Sequence, residues 1–311
     1  MASDANRRFG APFPQQNEQF GPLAQLQGTW VGTGFNLISK PGFSVKEPFV
    51  LQINATKEVL TFTPISAPIP DRGSEQPDID IFALNYQQVV SDATTNSLLH
   101  VEQGMWLNVP ASTDPSQPAT VVRLAVVPHG DSVLAQGIGL TGIPGPPDIQ
   151  PVSPIPFEIG PTGPISLTGT YFPPDPFAFP AVNPFPIPAA FDLDNPNAAL
   201  TTAIEGQNIT SMVVLEVSTT TSEATEQLLG GGGILNIPFV DVNADALSLD
   251  AIFWIETVGP TSPGGQPFLQ LQYTQTVILA FPAFTGPTAP ANPNNPVIHW
   301  PHISVATLVK N

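Results

Sequence analysis

Hydrophobic and polar residues alternate along most of the chain. Over 268–273, Leu269, Leu271 and Tyr273 fall on one face and the glutamines between them on the other, which is the pattern of a half-buried strand. Similar short runs recur between segments that carry Gly, Pro, Asn and Asp. They predict strands near 29–38, 48–54, 58–64, 80–90, 97–108, 120–128, 132–139, 210–218, 234–240, 246–258, 267–281 and 297–309.

The lack of long helices then defines the fold class. No segment shows the apolar repeat of an amphipathic helix over helix length, so helix is expected only in short pieces at 20–27 and 222–229. About ten to twelve antiparallel strands without helices between them must close into a barrel or stack as a sandwich. We therefore predict an all-β protein with very little helix.

One segment, 142–196, interrupts the alternation. Proline recurs there every few residues, and proline cannot donate a hydrogen bond to a neighbouring strand. Its many aromatic residues are not typical of a solvated linker. We expect this insertion to be an ordered flap on the barrel mouth or on a second subunit, within a single domain over 22–311 that follows a flexible arm at 1–21. The alternative is a flexible spacer between two domains.

The charge balance restricts the class of partner. The chain has 8 Lys and Arg against 25 Asp and Glu, a formal net charge of −17. Without a basic patch, neither nucleic acid nor an anionic membrane surface is an expected partner, which leaves a small-molecule ligand. The polar start of the chain and the lack of a long apolar run predict a cytoplasmic protein. Phe and Pro residues in the insertion make a homodimer a reasonable expectation.

The chain has no cysteine and only four histidines. The lack of cysteine excludes disulfides, thiolate-bound haem, iron–sulfur clusters and cysteine zinc sites. Imidazole binds both haem iron and non-haem metals. The candidates for such chemistry are therefore His100, His129, His299 and His302.

His100 and Glu102 are expected to project to one face of a strand, since side chains alternate. The pair could be two ligands of a non-haem metal, or a ligand and the group that orients it. The alternative is a histidine hydrogen-bonded to a neighbouring carboxylate in the barrel wall. His129 lies between Pro128 and Gly130 at a hairpin end, which favours a turn residue over a ligand.

The segment from His299 to His302 places two histidines in one apolar strand. They have opposite parity, so in a regular strand only one of them faces inward. Pro301 removes a hydrogen-bond donor and would permit a bulge that turns both rings the same way. If the strand is regular, Trp300 and His302 share a face.

Arg123 lies in the apolar strand at 120–128. A buried arginine requires a carboxylate partner. Glu102, on a neighbouring strand, is the favoured partner, while a haem propionate or an acidic substrate are the alternatives.

Four segments resemble the nitrobindins, the haem-binding members of the calycin barrels. They are Gly28–Gly34 with its Gly-x-Trp opening, His100-x-Glu102-x-Gly104, Pro128-His129-Gly130 followed by Gln136-Gly137, and the closing run from His302 to Leu308. The resemblance covers 28–140 and 200–309 and leaves the insertion unmatched, because a nitrobindin is roughly half this length. Ile303 also stands where the family has Leu.

The resemblance implies an antiparallel calycin-like β-barrel of about ten to twelve strands, enlarged by the Pro/Phe-rich insertion. It further implies that His302 binds b-type haem as the axial ligand, with Trp300 and Trp30 in the haem pocket. Ferric-haem chemistry on nitric oxide, peroxynitrite, peroxide or small apolar substrates would follow.

Two other functions fit the residues. The first is a mononuclear non-haem oxygenase, in which all four histidines converge on one Fe or Mn ion with Glu102 as a ligand or its partner. The second is a metal-free carrier of an apolar small molecule, for which the barrel lining suffices. If the protein is an enzyme, we expect a haem- or metal-dependent oxidoreductase.

Overall fold

Strands dominate the computed structural model, which describes residues 18–42, 47–74, 77–113, 116–167, 191–221, 230–242, 244–260, 264–282 and 297–311. The helical elements are a 3-10 helix (Gly21–Leu26), α1 (Ala198–Ala203) and α2 (Pro238–Asp241). The strands are β1 (Gly28–Gly42), β2 (Glu47–Pro64), β3 (Ile69–Asp71), β4 (Ile79–Asp92), β5 (Leu98–Val109), β6 (Ser112–Thr113), β7 (Ser116–Gln117), β8 (Thr120–Val127), β9 (Asp131–Pro144), β10 (Phe157–Gly160), β11 (Gly163–Ser166), β12 (Ile209–Ser218), β13 (Gly232–Asn236), β14 (Asp245–Val258), β15 (Phe268–Pro282) and β16 (Val297–Lys310).

Ten of these strands form one closed antiparallel barrel. Their order is β1-β2-β4-β5-β8-β9-β12-β14-β15-β16, and β16 pairs back onto β1. Along β9 the first residues pair with β13 and the later ones with β12. The prediction of an all-β antiparallel barrel with little helix is confirmed.

The strand boundaries differ from the expected ones at a few places. The segments expected as separate strands at 48–54 and 58–64 form the single long strand β2. The strand expected at 234–240 ends at Asn236, and α2 follows it from Pro238, a residue that favours the first turn of a helix. The helix expected at 222–229 lies outside the described residues.

One end of the barrel is closed by the 3-10 helix. Leu23 and Leu26 of this helix are buried in the barrel core, where they join large apolar side chains such as Trp30 and Trp106. The indole Nε1 of Trp30 donates to the carbonyl of Leu26 at 2.7 Å. We call this end the base of the barrel.

A second hydrophobic cluster lies outside the barrel core, and most of its strand residues are on the outer wall. Trp254 belongs to it, whereas its neighbours Phe253 and Ile255 belong to the barrel core, because side chains alternate along a strand. The cluster explains why strands such as β16 are apolar on both faces. Its buried members are Leu37, Leu51, Ile53, Phe191, Leu193, Leu200, Met212, Trp254, Ile298, Trp300, Ile303 and Val305.

The insertion at 142–196 supplies part of this outer layer. Ile149, Val152 and Ile155 pack against the second cluster, and the Asn197 side chain donates to the Gln150 carbonyl at 2.7 Å. These described parts therefore lie on the outer wall, which differs from the expected position at the barrel mouth. Residues 168–190 of the insertion, and 1–17 of the expected N-terminal arm, lie outside the described residues.

None of the described helices has both the length and the hydrophobicity that spanning a membrane requires.

Closure of the barrel depends on a close approach at Gly34. Gly34 on β1 pairs with Ala306 on β16, and a Cβ placed on Gly34 would lie 2.0 Å from the Val305 carbonyl oxygen. We expect Gly34→Ala to lower the free energy of unfolding by about 1–3 kcal/mol, as overpacking does elsewhere, measured by urea denaturation. Val31→Ala on the same strand, whose side chain is 45% exposed, is the control. An equal loss in the two variants would contradict this account of the contact between β1 and β16.

Candidate functional site

A cavity of about 580 Å³ fills the half of the barrel that lies away from the 3-10 helix. Side chains from most barrel strands line it, and Phe239 and Val240 of α2 contribute as well. Much of the lining is aliphatic, including Val90, Leu98, Val127, Val133, Ile234, Leu249, Val277 and Leu279. The size and the largely apolar lining are those of a small-molecule site.

A layer of polar side chains separates this cavity from the apolar base. Glu58, Gln88 and Glu102 come from the neighbouring strands β2, β4 and β5, and Gln88 and Glu102 are direct partners in register. Tyr273 and Gln275 reach the same cavity from β15. We call this layer the polar floor.

The strongest interaction at the polar floor is a buried ion pair. Arg123 and Glu102 are 1% and 2% exposed, and Arg123 Nη2 donates to Glu102 Oε1 at 2.6 Å. Tyr86 donates its hydroxyl to the same oxygen and accepts from Arg123 Nε at 3.2 Å. Arg123 Nη1 donates to Gln275 Oε1 at 2.7 Å. The sequence-based prediction that Glu102 is the partner of Arg123 is confirmed.

This ion pair fixes the charge states of its members. Burial alone would raise the pKa of Glu102, but the positive charge of Arg123 and hydrogen bonds from His100 and Tyr86 lower it to about 2. Burial would likewise lower the pKa of Arg123, and the Glu102 carboxylate raises it above its ordinary value instead. Glu102 is therefore a carboxylate across the physiological range.

A second carboxyl group, Glu58, stands beside the first. Its Oε2 accepts from the Tyr273 hydroxyl at 2.6 Å and from Gln88 Nε2 at 3.2 Å. Its Oε1 accepts from Thr56 Oγ1 at 2.9 Å. Burial raises the pKa of Glu58, and these hydrogen bonds offset part of that rise.

Three of the four histidines line the cavity. Leu98, His100 and Glu102 all face it, as the alternation predicts. His100 Nε2 lies 3.4 Å from Glu102 Oε2, and the ring centroids of His100 and His129 are 5.7 Å apart. His129, the residue favoured as a turn position, thus also contributes to the lining, close to Asp131.

His302 faces the cavity from β16. Its Nε2 lies 3.1 Å from the carbonyl oxygen of Ser39, and since a carbonyl only accepts, Nε2 carries the hydrogen. Burial lowers the pKa of His302 to about 4, although the bond to Ser39 acts in the opposite direction. The ring is therefore neutral at physiological pH, which leaves Nδ1 as a hydrogen-bond acceptor or metal ligand.

His299 does not join the other histidines. It pairs with Phe157 of β10, and the two rings stack with centroids 5.1 Å apart. The β15–β16 pairing runs through Pro301 without a register shift, so the bulge that would turn both rings inward does not form. The expectation that all four histidines converge on one metal is therefore wrong for His299.

The two tryptophans expected beside a cofactor lie elsewhere. Trp300 has the same parity as His302, but it does not line the cavity with it: it is fully buried in the second cluster and packs edge-on against Phe281 at 6.4 Å. Trp30 belongs to the base, with Lys310 Nζ lying 5.1 Å from the centre of its ring. In the described part of the chain, no three His, Asp or Glu side chains are grouped so as to hold a metal ion.

Glu58, Gln88 and Tyr273 are site residues that were not predicted from the sequence. Glu58 has the same parity as the inward-facing Leu60 and Phe62, which is a signal for an inward carboxyl group. Glu58 is the first residue of the strand expected at 58–64, and at a strand end the alternation is a weak guide to which way a side chain faces. The signal becomes visible once β2 is continuous from Glu47 to Pro64.

Comparisons with known proteins add little to this geometry. No protein-family model matches the chain, and no curated protein matches it. The crystal structure of Rv2717c from M. tuberculosis is similar at a TM-score of 0.42 and 15% identity, covering 97% of this chain and 98% of that chain. A likeness of this degree says nothing about what the chain binds.

The buried ion pair generates a stability prediction. We expect Arg123→Gln to lower the free energy of unfolding by about 3–5 kcal/mol, because it leaves the Glu102 carboxylate buried without its counter-charge. Urea denaturation near neutral pH measures this loss. Arg72→Gln, which breaks an exposed pair with Asp78, is the matched control and should change little.

The pH dependence gives an independent check on the same pair. The pKa of Glu102 lies at about 2 in the folded chain against 4.5 ordinarily, so its stabilisation is present above the ordinary pKa and is lost as pH falls. The difference between the wild type and Arg123→Gln should shrink over that interval. A loss as small as that of Arg72→Gln would show that the pair does not stabilise the barrel.

Proposed function

We propose that this protein binds a small, mainly apolar molecule inside the barrel. The observation that carries the proposal is the cavity of about 580 Å³ with its aliphatic walls and polar floor. Sites of this size, lined mostly by apolar side chains with a few convergent polar groups, are typical of small-molecule recognition. The proposal is the carrier hypothesis of the sequence analysis, with the site now defined by residues.

The internal division of the barrel supports this proposal. The base is filled by packed side chains, so a ligand could occupy only the half that holds the cavity. The polar floor is held by hydrogen bonds between its own side chains. Because these side chains are already ordered, little free energy of binding is lost to rearranging them when a ligand binds.

A dye-binding measurement tests the proposal. We expect an uncharged polarity-sensitive dye such as Nile red to bind saturably, with the fluorescence of an apolar environment. Val277→Trp places a large ring in the cavity and should weaken binding by at least about tenfold, the equivalent of about 1.4 kcal/mol.

Val309→Trp is the matched control, because Val309 is 43% exposed on the neighbouring strand β16. Circular dichroism establishes that both variants remain folded. Equal dye affinity in the two variants, or an absence of saturable binding to the wild type, would overturn the cavity as the binding site.

Haem b is a second candidate ligand, and His302 is the observation that favours it. A neutral imidazole held by a backbone carbonyl is a common arrangement of a metal-binding histidine, and His302 lies at the cavity. Bound ferric haem would supply redox chemistry on small oxidants. The charge of the cavity fits haem less well, because none of the described lining residues is a lysine or arginine that could pair with a propionate.

Hemin titration tests the haem candidate. If His302 holds the iron, the purified protein gains a shifted Soret band on hemin addition, and His302→Ala abolishes the shift. His299→Ala is the control, since His299 stacks on Phe157 away from the cavity. If the wild type leaves the hemin spectrum unchanged, or if His302→Ala gives the same spectrum as the wild type, the hypothesis that His302 binds haem is excluded.

A further inference from the structure

We infer that the ligand of this cavity is an apolar amine whose positively charged nitrogen binds at Asp131. This inference rests on the proposed function, because it names the ligand class for the same cavity. It is carried by the polar atoms that the protein leaves unpartnered at the cavity and by the charge of the lining.

Asp131 is the first of these observations. It begins β9 at the hairpin that follows His129 and lines the cavity. Its Oδ1 is buried and has no hydrogen-bond partner within the described structure. An unpartnered buried carboxylate oxygen is costly, and a donor on the ligand would remove that cost.

The histidines add further acceptors. Glu102 is a carboxylate and can only accept, so His100 Nε2 carries the hydrogen between them. In the neutral ring, His100 Nδ1 is then an acceptor, and the same reasoning applies to His302 Nδ1. Ligands that donate hydrogen bonds are therefore favoured over ligands that only accept them.

The carboxyl groups at the cavity point in the same direction. Glu58, Glu102 and Asp131 all line it, while the described lining contains no lysine or arginine. Arg123 is committed to Glu102, Tyr86 and Gln275 below the floor. An anionic ligand would find no counter-charge there, and the net charge of −17 would repel it during approach.

One unpartnered hydrogen-bond donor also lies at the cavity, and its position shows how a ligand would be placed. Asn54 Nδ2 on β2 is buried without a partner, since Asn54 contributes its Oδ1 to Gln52. β2 and β9 are four positions apart around the barrel order, so Asn54 and Asp131 lie on different walls. A ligand with its amine at Asp131 therefore has its apolar body between these walls.

Three probes of matched chain length test the inference. Decylamine, decanol and decanoate carry the same apolar tail and differ only in the head group. Isothermal titration calorimetry near neutral pH should give a dissociation constant at least about tenfold lower for decylamine than for decanoate, with decanol between them. Asp131→Asn should raise the dissociation constant of decylamine by about tenfold and leave that of decanol unchanged.

Two further variants keep the result specific. Glu58→Gln removes the other buried carboxyl group that could attract the amine, and it should have a smaller effect than Asp131→Asn. Asp250→Asn is the matched control, because Asp250 is an exposed aspartate of β14 that does not line the cavity. Thermal denaturation of each variant separates loss of binding from loss of folding.

The outcomes separate the two proposals. If neither Nile red nor any of the three probes binds, the proposed function is wrong and the inference fails with it; if Nile red binds but decylamine does not, only the amine inference is overturned. If decanoate binds as tightly as decylamine, the amine inference is overturned while binding in the cavity stands. If decylamine is preferred but Asp131→Asn binds it as the wild type does, the assignment to Asp131 is overturned.

Discussion

The ion pair between Arg123 and Glu102 is the constraint on which the rest of the interior depends. Two opposite charges inside a barrel lose their hydration, and their attraction offsets that loss only when every remaining hydrogen bond is also made. Here Tyr86 and Gln275 accept from Arg123 Nε and Nη1, so each of its three nitrogens has a partner. These groups come from β4, β5, β8 and β15, so a single charge pair ties together strands from different parts of the barrel.

This pair also determines where the barrel is filled and where it is open. Trp106 and Phe253 of the base lie near the Arg123 guanidinium, at 6.0 and 5.6 Å from ring centre to its carbon. Apolar packing therefore ends at the charged layer, where the polar floor begins. Past the floor the walls enclose the cavity, so one buried polar layer divides the filled base from the open half.

Much of the fold could be predicted from the sequence because each piece of evidence was local. The period-two alternation located the barrel strands, and a single arginine in an apolar strand was sufficient to predict a carboxylate partner in Glu102. Parity separated His299 from His302, and the uninterrupted β15–β16 pairing agrees with it. The contact of Glu58 with Tyr273 could not be predicted in this way, because 215 residues separate them and only barrel closure brings them together. Trp30 fits its motif in sequence but packs in the base, since the 3-10 helix covers it.

The histidines show why the residue type alone does not define the chemistry of this cavity. His100 and His302 both use Nε2 as a donor, one to a carboxylate and the other to a backbone carbonyl. In its neutral form, each ring then has Nδ1 left over as an acceptor. The same imidazoles that suggest a metal also make the cavity rich in acceptors, next to carboxyl groups and with no lysine or arginine in the described lining. The charge of the partner separates haem from the other candidates. A metal ion or an amine is a cation and would satisfy these acceptors, whereas the propionates of haem are anions and would be repelled by the carboxyl groups around them.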